Sequence, residues 1–262
     1  MNAYLRNINK IEFVVTDACC GRCRHCSQGE HPARGAGIDP ALAAETVKKI
    51  AAAYAVVTVM AFGGEPLLHR EAVYAIMEAA RQEGVPHRQV ITSGYFSKDS
   101  ETIRCVARRL ADCGVNDLRL SVDAFHQEFI PAEVVKLFVA EAVKQGLPIR
   151  LQPAWLVSRE DDNPYNRKTK EILGEFSAMG IPVHDGNVIF PEGNAVKFLA
   201  EYFTGEAPAN PYKEDPYDVT CVSFAPNGDV LGGNVYQRDI LDILDDYTPQ
   251  EGNYEKAFDH RV

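Results

Sequence analysis

Apolar positions fall into short runs that alternate with longer amphipathic stretches. The run "IEFVVT" (11–16), rich in β-branched residues, reads as a buried strand. Asp39-Pro40 then makes a helix start, with Asp as N-cap and Pro at the first helical position, and "ALAAETVKKIAAAY" (41–54) follows. The alternation continues with strand 56–62, helix 70–84 ended by Gly84, strand 88–93, helix 99–114 closed by Gly114 and strand 117–122. Helix 131–146, strand 148–157, helix 166–180 and strand 181–190 complete it. Strands this apolar need cover on both faces, which predicts a parallel sheet under helices, open or curled into a partial barrel. Residues 191–262 break the rhythm and are expected to form an extension appended to a core of 1–190. Within that extension, "DVTCVSFAPNGDVLGGNVYQ" (218–237) alternates about "PNGD" and predicts a β-hairpin.

Composition narrows the class. A chain of 262 residues, 46% hydrophobic, buries enough surface to fold without disulfide staples. Its seven cysteines are odd in number and clustered, unlike a secreted disulfide framework, so a reducing, cytoplasmic setting is expected. Residues 1–10 are polar and no apolar run approaches about 18 residues, so no membrane segment is expected. The net charge of −10, from 37 acids against 27 bases, argues against a nucleic-acid partner.

In such sheets, binding loops sit at the C-terminal ends of the strands. "DACCGRCRHCSQGE" (17–30) follows the first strand, "GGEP" (63–66) the second, "SGYF" (93–96) the third and "DAFH" (123–126) the fourth. Cys19, Cys23 and Cys26 are spaced C-x3-C-x2-C. A structural zinc site wants four ligands in paired C-x2-C spacing, and here the fourth would be Cys20 or His25, each beside another ligand. Three thiolates on a tight loop suit three corners of a [4Fe–4S] cube instead, with the fourth iron left open to a small molecule. A zinc knuckle and a chance cluster are the other readings. Cys20 reads as a spare small residue.

The cysteine triplet after the first strand, joined to GGEP after the second, resembles the radical S-adenosylmethionine (SAM) superfamily, and the βα rhythm that carries it covers 11–190. The resemblance implies a partial (β/α)6 TIM-like barrel in which SAM chelates the open iron of a [4Fe–4S] cluster. It implies reductive cleavage of SAM to a 5′-deoxyadenosyl radical, which takes hydrogen from the substrate. It further implies that Gly63 and Gly64 bring backbone close to the methionine moiety, with Glu65, before Pro66, accepting from its ammonium. Ser93 and Gly94 match the ribose-side position, Ser121 and Asp123 the position that meets carboxylate and ribose, and His25 packs near adenine. Where many relatives carry Gly after this Asp and then a later Arg, this chain has Ala124 and no nearby Arg. Arg150 is the substitute for the carboxylate contact, a structural ion pair being the alternative. His126 is the candidate catalytic residue facing the substrate, a hydrogen-bonded structural histidine being the other reading.

The extension resembles a stripped relic of the C-terminal extension of peptide-modifying members, which binds auxiliary clusters. With Cys221 as its only thiol, one cluster is expected per chain, and the extension is expected to cover the barrel opening. The expected substrate is a peptide or a small metabolite, with electrons from a donor such as flavodoxin or ferredoxin. Alternatives are a glycyl-radical enzyme activase and a non-enzymatic iron–sulfur electron carrier. A carrier would want a fourth protein ligand and no GGEP loop.

Overall fold

Helix starts fall where short polar side chains can take the free N–H groups of a first turn. Asp39 accepts from Leu42 N at 2.8 Å and opens α1 (Pro40–Ala53). Asp99 accepts from Thr102 N at 2.7 Å and opens α3 (Ser100–Asp112), and Asn163 does the same for α6 (Pro164–Ser177). A computed structural model describes residues 2–205 and 208–249. Around these helices run β1 (Lys10–Val14), β2 (Thr58–Phe62), α2 (Arg70–Gln82), β3 (His87–Thr92) and β4 (Asp117–Leu120). The short α4 (Ala124–Gln127), α5 (Ala132–Lys144) and β5 (Ile149–Leu151) follow.

The main sheet has six strands in the order β5-β4-β3-β2-β1-β8, where β8 is Cys221–Phe224, and every pairing in it is parallel. The fold is an α/β partial barrel, not closed. Alternation sorts its faces. Ile11, Phe13, Val59, Ala61, Leu118 and Leu120 have no exposure and join the helices in one core. Lys10, Glu12, Asp117, Arg119 and Arg150 occupy the intervening positions and turn to the other face, the lumen.

Two expectations change. The run 148–157 divides into β5 and β6 (Ala154–Trp155), and of 181–190 only β7 (Asn187–Val188) forms a strand, paired parallel to β6 in a separate two-stranded sheet. Pro153 and Pro182 lack the N–H groups that a continuous ladder would use. The second change concerns the tail. "CVSF" is not half of a surface hairpin but a strand of the main sheet, in register Lys10↔Cys221 and Phe13↔Phe224. Val222 and Phe224 are fully buried, and Phe224 stacks on Phe13 with ring centroids 4.7 Å apart. "PNGD" turns the chain out of β8, with Gly228 N donating to Ala225 O. The hairpin itself is smaller, β9 (Asp229–Val230) against β10 (Gly233–Asn234). The helix after it, α8 (Ile240–Asp245), packs Ile240, Ile243 and Leu244 into the core, and Asp239 pairs with Lys49 of α1. Residues 250–262 of the extension lie outside the described residues. Among the described residues, no helix is long and apolar enough to cross a membrane.

Because Phe224 sits inside the core, Phe224→Ala is expected to lower stability by about 3–5 kcal/mol in urea unfolding. A loss below about 1 kcal/mol would show that β8 is not packed into the sheet.

Candidate functional site

The cysteine loop leaves β1 and returns to α1, and its neck is held by backbone. Gly64 N donates to Thr16 O and Glu65 N to Ala18 O, both at 2.8 Å. Thr16 Oγ1 donates to Ala36 O at 2.8 Å, and Thr16 bridges Gly37. A Cβ on Gly64 would lie 2.2 Å from Ala18 O, and one on Gly63 2.7 Å from Thr16 O. The close backbone approach expected of these glycines toward a ligand is therefore made to the cysteine loop itself.

Glu65 has its own partners within the protein. It is 0% exposed, and four donors saturate its carboxylate: Leu67 N and Thr92 Oγ1 on one oxygen, Ser93 N and Ser93 Oγ on the other. Burial pushes its carboxyl up, against the hydroxyls of Ser93 and Thr92 and the N–H groups that hold the anion. Glu65 caps the turn Pro66–His69 and ties the second strand end to the third. Thr92 Oγ1 in turn accepts from Gly94 N.

Two of the three thiols come together in this loop. Cys19 Sγ and Cys23 Sγ both lie within 4 Å of the position a Cβ on Gly21 would take. Burial pushes the Cys19 thiol up to about 11 and raises Cys23 and Cys26 as well. Each is a neutral thiol until a metal displaces its proton. Cys20 turns away and donates to Tyr95 O. His31, which sequence reasoning missed, places Nε2 at 3.2 Å from Cys26 Sγ while its Nδ1 meets Asp17 O at 2.8 Å. A lone His five residues past the last cysteine carries no signal in one sequence.

Asp123 and two histidines border the loop. Asp123 is 0% exposed; Oδ1 accepts from Phe125 N and His126 N, and Oδ2 from His126 Nδ1 at 2.8 Å and Ala154 N at 3.0 Å. Burial alone would raise its carboxyl; the neighbouring imidazoles and the hydrogen bonds from His126 hold it well below the usual range. Its carboxylate thus orients His126 and anchors β6, while the Ser121 side chain stays unpartnered among the described residues. His25 packs on Phe125 and His126, each with centroids 4.9 Å away. Burial lowers it to about 4, so it is neutral. Ligand atoms of Cys23, His25 and His126 lie within 4.8 Å of one another. His25 Nδ1 and Gln28 Oε1 on the cysteine loop, and Gln127 Nε2 beside Asp123, are buried without partners. They are what a bound polar cofactor would fill, and together with the soft thiol trio they fit an iron–sulfur cluster with a polar ligand.

The tail clamps the same loop. Asn194 N donates to Cys26 O at 2.9 Å and Asn194 Nδ2 to Cys23 O at 3.0 Å, at the start of α7 (Asn194–Phe198). A side chain on Gly193, at φ 54°, would strike Ser27 O at 2.4 Å. The "GN" pair is the available signal, in a segment whose sequence otherwise reads only as extension. Arg150 is not with this group. Its guanidinium grips Asp117 through Nε at 2.8 Å and Nη2 at 2.6 Å, at the opposite end of β4 from Ser121. The ion-pair alternative is the one the structure shows.

Comparison with known proteins follows the same lines. A model of the Radical SAM superfamily matches residues 13–198. The chain is 27% identical over 133 residues to a GTP 3',8-cyclase of Moorella thermoacetica and 26% identical over 159 residues to one of Peptoclostridium acidaminophilum. These stretches cover 48% and 58% of this chain but 38% and 47% of those proteins, so the chain spans less than half the length of the curated relatives it matches. A tagged form of anSMEcpe with bound AdoMet superposes at a TM-score of 0.58 and 13% identity, covering 96% of this chain and 79% of that one. Native anSMEcpe with bound AdoMet and Cp18Cys peptide gives 0.55 at 12% identity, covering 96% and 82%. At these identities the likeness is one of fold.

Removing Glu65 leaves four donors bare in a dry site. Glu65→Ala is expected to cost at least about 2 kcal/mol of stability in the cofactor-free protein, by urea unfolding. Unchanged stability with weakened SAM binding would instead return Glu65 to direct ligand contact.

Proposed function

The chain belongs to the radical SAM superfamily, and on that premise we propose that Cys19, Cys23 and Cys26 are its cluster ligands and that it abstracts hydrogen from a peptide or small metabolite. It is an enzyme of that superfamily, with a [4Fe–4S] cluster and S-adenosylmethionine as cofactors. When bound, the cluster and SAM supply one electron and a sulfonium that together yield a 5′-deoxyadenosyl radical. The observation that carries the ligand assignment is the placement of Cys19 and Cys23 side by side in a loop whose neck is tied to GGEP, with Cys26 three residues on and Cys20 directed to Tyr95 O.

The chain's own residues then have distinct tasks. Glu65 and Asp123 act as positioning residues: Glu65 fixes the 63–65 backbone against the loop, and Asp123 fixes His126. Because Asp123 stays anionic and only accepts, His126 Nδ1 carries the proton of their bond. The other ring nitrogen of His126 is left to face the cofactor and substrate. Ser121, Ser93, Gly94 and His25 border the space in which SAM would lie. The phenyl ring of Phe125, stacked on Tyr165 at 4.5 Å, helps keep water from it. The tail supports a peptide substrate, by its resemblance to the extension of peptide-modifying members, and a flavodoxin or ferredoxin is the expected reductant.

A second reading rests on Cys23, His25 and His126, whose spacing would also admit one mononuclear metal such as zinc. Metal analysis separates the two. Anaerobically reconstituted protein is expected to hold about four irons and no stoichiometric zinc, and to release 5′-deoxyadenosine from SAM when reduced with dithionite. Alanine at Cys19, Cys23 or Cys26 is expected to abolish both properties, whereas Cys20→Ala keeps them. One zinc per chain with no iron uptake would replace the cluster reading; a dead but folded Cys20→Ala would reverse the ligand assignment.

A further inference from the structure

The lumen face of the sheet carries charges that cofactor binding leaves unused. On β1, Lys10 and Glu12 pair at 2.6 Å. On β4 and β5, the Asp117 carboxylate takes Nε and Nη2 of Arg150 and also Nε of Arg119, the last at 3.0 Å. One carboxylate thus serves two guanidiniums. The terminal nitrogens of Arg119, and Nη1 of Arg150, find no protein acceptor among the described residues. Around Asp117 itself, two guanidiniums share one carboxylate, a locally positive group in a chain whose net charge is −10.

A second observation points the same way. Gln152 lies two residues beyond Arg150, on the same face, and is only 8% exposed. Its Nε2 donates to Asn187 Oδ1 at 3.2 Å, while Oε1 is buried with no partner. A buried amide oxygen without a donor is costly unless something fills the space beside it. Asp117 and the paired Arg119 and Arg150 lie below the cofactor rim, and Gln152, whose N donates to Leu120 O, reaches up to the level of Ser121. Asp117 precedes Ser121 by four residues, about 13 Å along the strand.

We infer that the lumen binds an oxyanion of the substrate, a carboxylate or a phosphate, on the free guanidinium nitrogens of Arg119 and Arg150, with an N–H or O–H of the same molecule donated to Gln152 Oε1. The inference rests on the reading of the rim as a radical SAM centre whose substrate enters the lumen. Guanidinium is the suited group: the terminal nitrogen pair of Arg119 matches the two oxygens of either anion, and Nη1 of Arg150 adds a single donor. Asp117 holds the forks apart and in place, and Lys10 adds a further positive field from the facing strand.

The test uses reconstituted full-length protein with SAM bound. Sodium phosphate and sodium acetate are titrated separately, against sodium chloride at matched ionic strength, and the arginine side-chain Nε–H resonances are followed by NMR. Those lost in Arg119→Gln and Arg150→Gln are expected to shift saturably with one or both anions and not with chloride. A response to phosphate alone assigns a phosphorylated substrate, and one to acetate alone a carboxylate. Arg119→Gln is expected to weaken the responding anion about tenfold or more, with Arg119→Lys recovering only part. No saturable shift with either anion overturns the inference, as does unchanged affinity in a folded Arg119→Gln. SAM cleavage by the wild-type protein is scored separately. Cleavage without an anion response removes only this inference; an anion response without cleavage upholds the lumen site and removes the cofactor reading.

Discussion

Two backbone hydrogen bonds, from Gly64 N to Thr16 O and from Glu65 N to Ala18 O, join the loop after the first strand to the loop after the second. The remaining rim is linked in series from there. Glu65 reaches Thr92 and Ser93 at the third strand end, Ser121 N donates to Thr92 O at the fourth, and Asp123 accepts from Ala154 N beyond the fifth. Each link is buried and each buried carboxylate is saturated, so the rim is a fixed frame rather than a set of independent loops. A frame of this kind fixes the backbone of the cysteine loop before any metal arrives, which reduces the ordering that binding would otherwise require.

The same logic separates the two faces of the sheet. Residues that pack under the helices are apolar and fully buried, whereas alternate positions carry Lys10, Glu12, Asp117, Arg119 and Arg150. A partial barrel with charged residues inside is not a packed core, and its lumen is chemically suited to hold a polar molecule below the cofactor rim. The tail participates at both ends of this arrangement. Its strand β8 extends the sheet beside β1, and Gly193 and Asn194 hold the cysteine loop from the outside.

The βα rhythm and the positions of the rim loops are legible in the sequence because helix caps and apolar runs are local signals: Asp39-Pro40, Gly84 and the "GGEP" motif each act within a few residues. The roles of individual rim residues are less legible. The sequence puts Glu65 and Asp123 at the right strand ends, but whether a carboxylate meets a ligand or the protein's own donors depends on Thr92, Ser93, His126 and Ala154, which are distant in sequence or silent as a pattern. Arg150 shows the same limit, since its partner Asp117 lies on the neighbouring strand. β8 escapes sequence reading because alternation cannot tell an edge hairpin from a buried parallel strand; Phe224 stacking on Phe13 is a long-range contact.

The central claim is that the cysteine loop holds a cluster with one iron open to SAM. The most direct test is the EPR spectrum of the reduced, reconstituted protein, recorded before and after SAM is added. The account predicts a [4Fe–4S]+ signal whose g values shift when SAM binds, because the added ligand enters at the iron that no cysteine occupies. A signal unchanged at saturating SAM would mean that the protein supplies the fourth ligand itself, and would contradict the account.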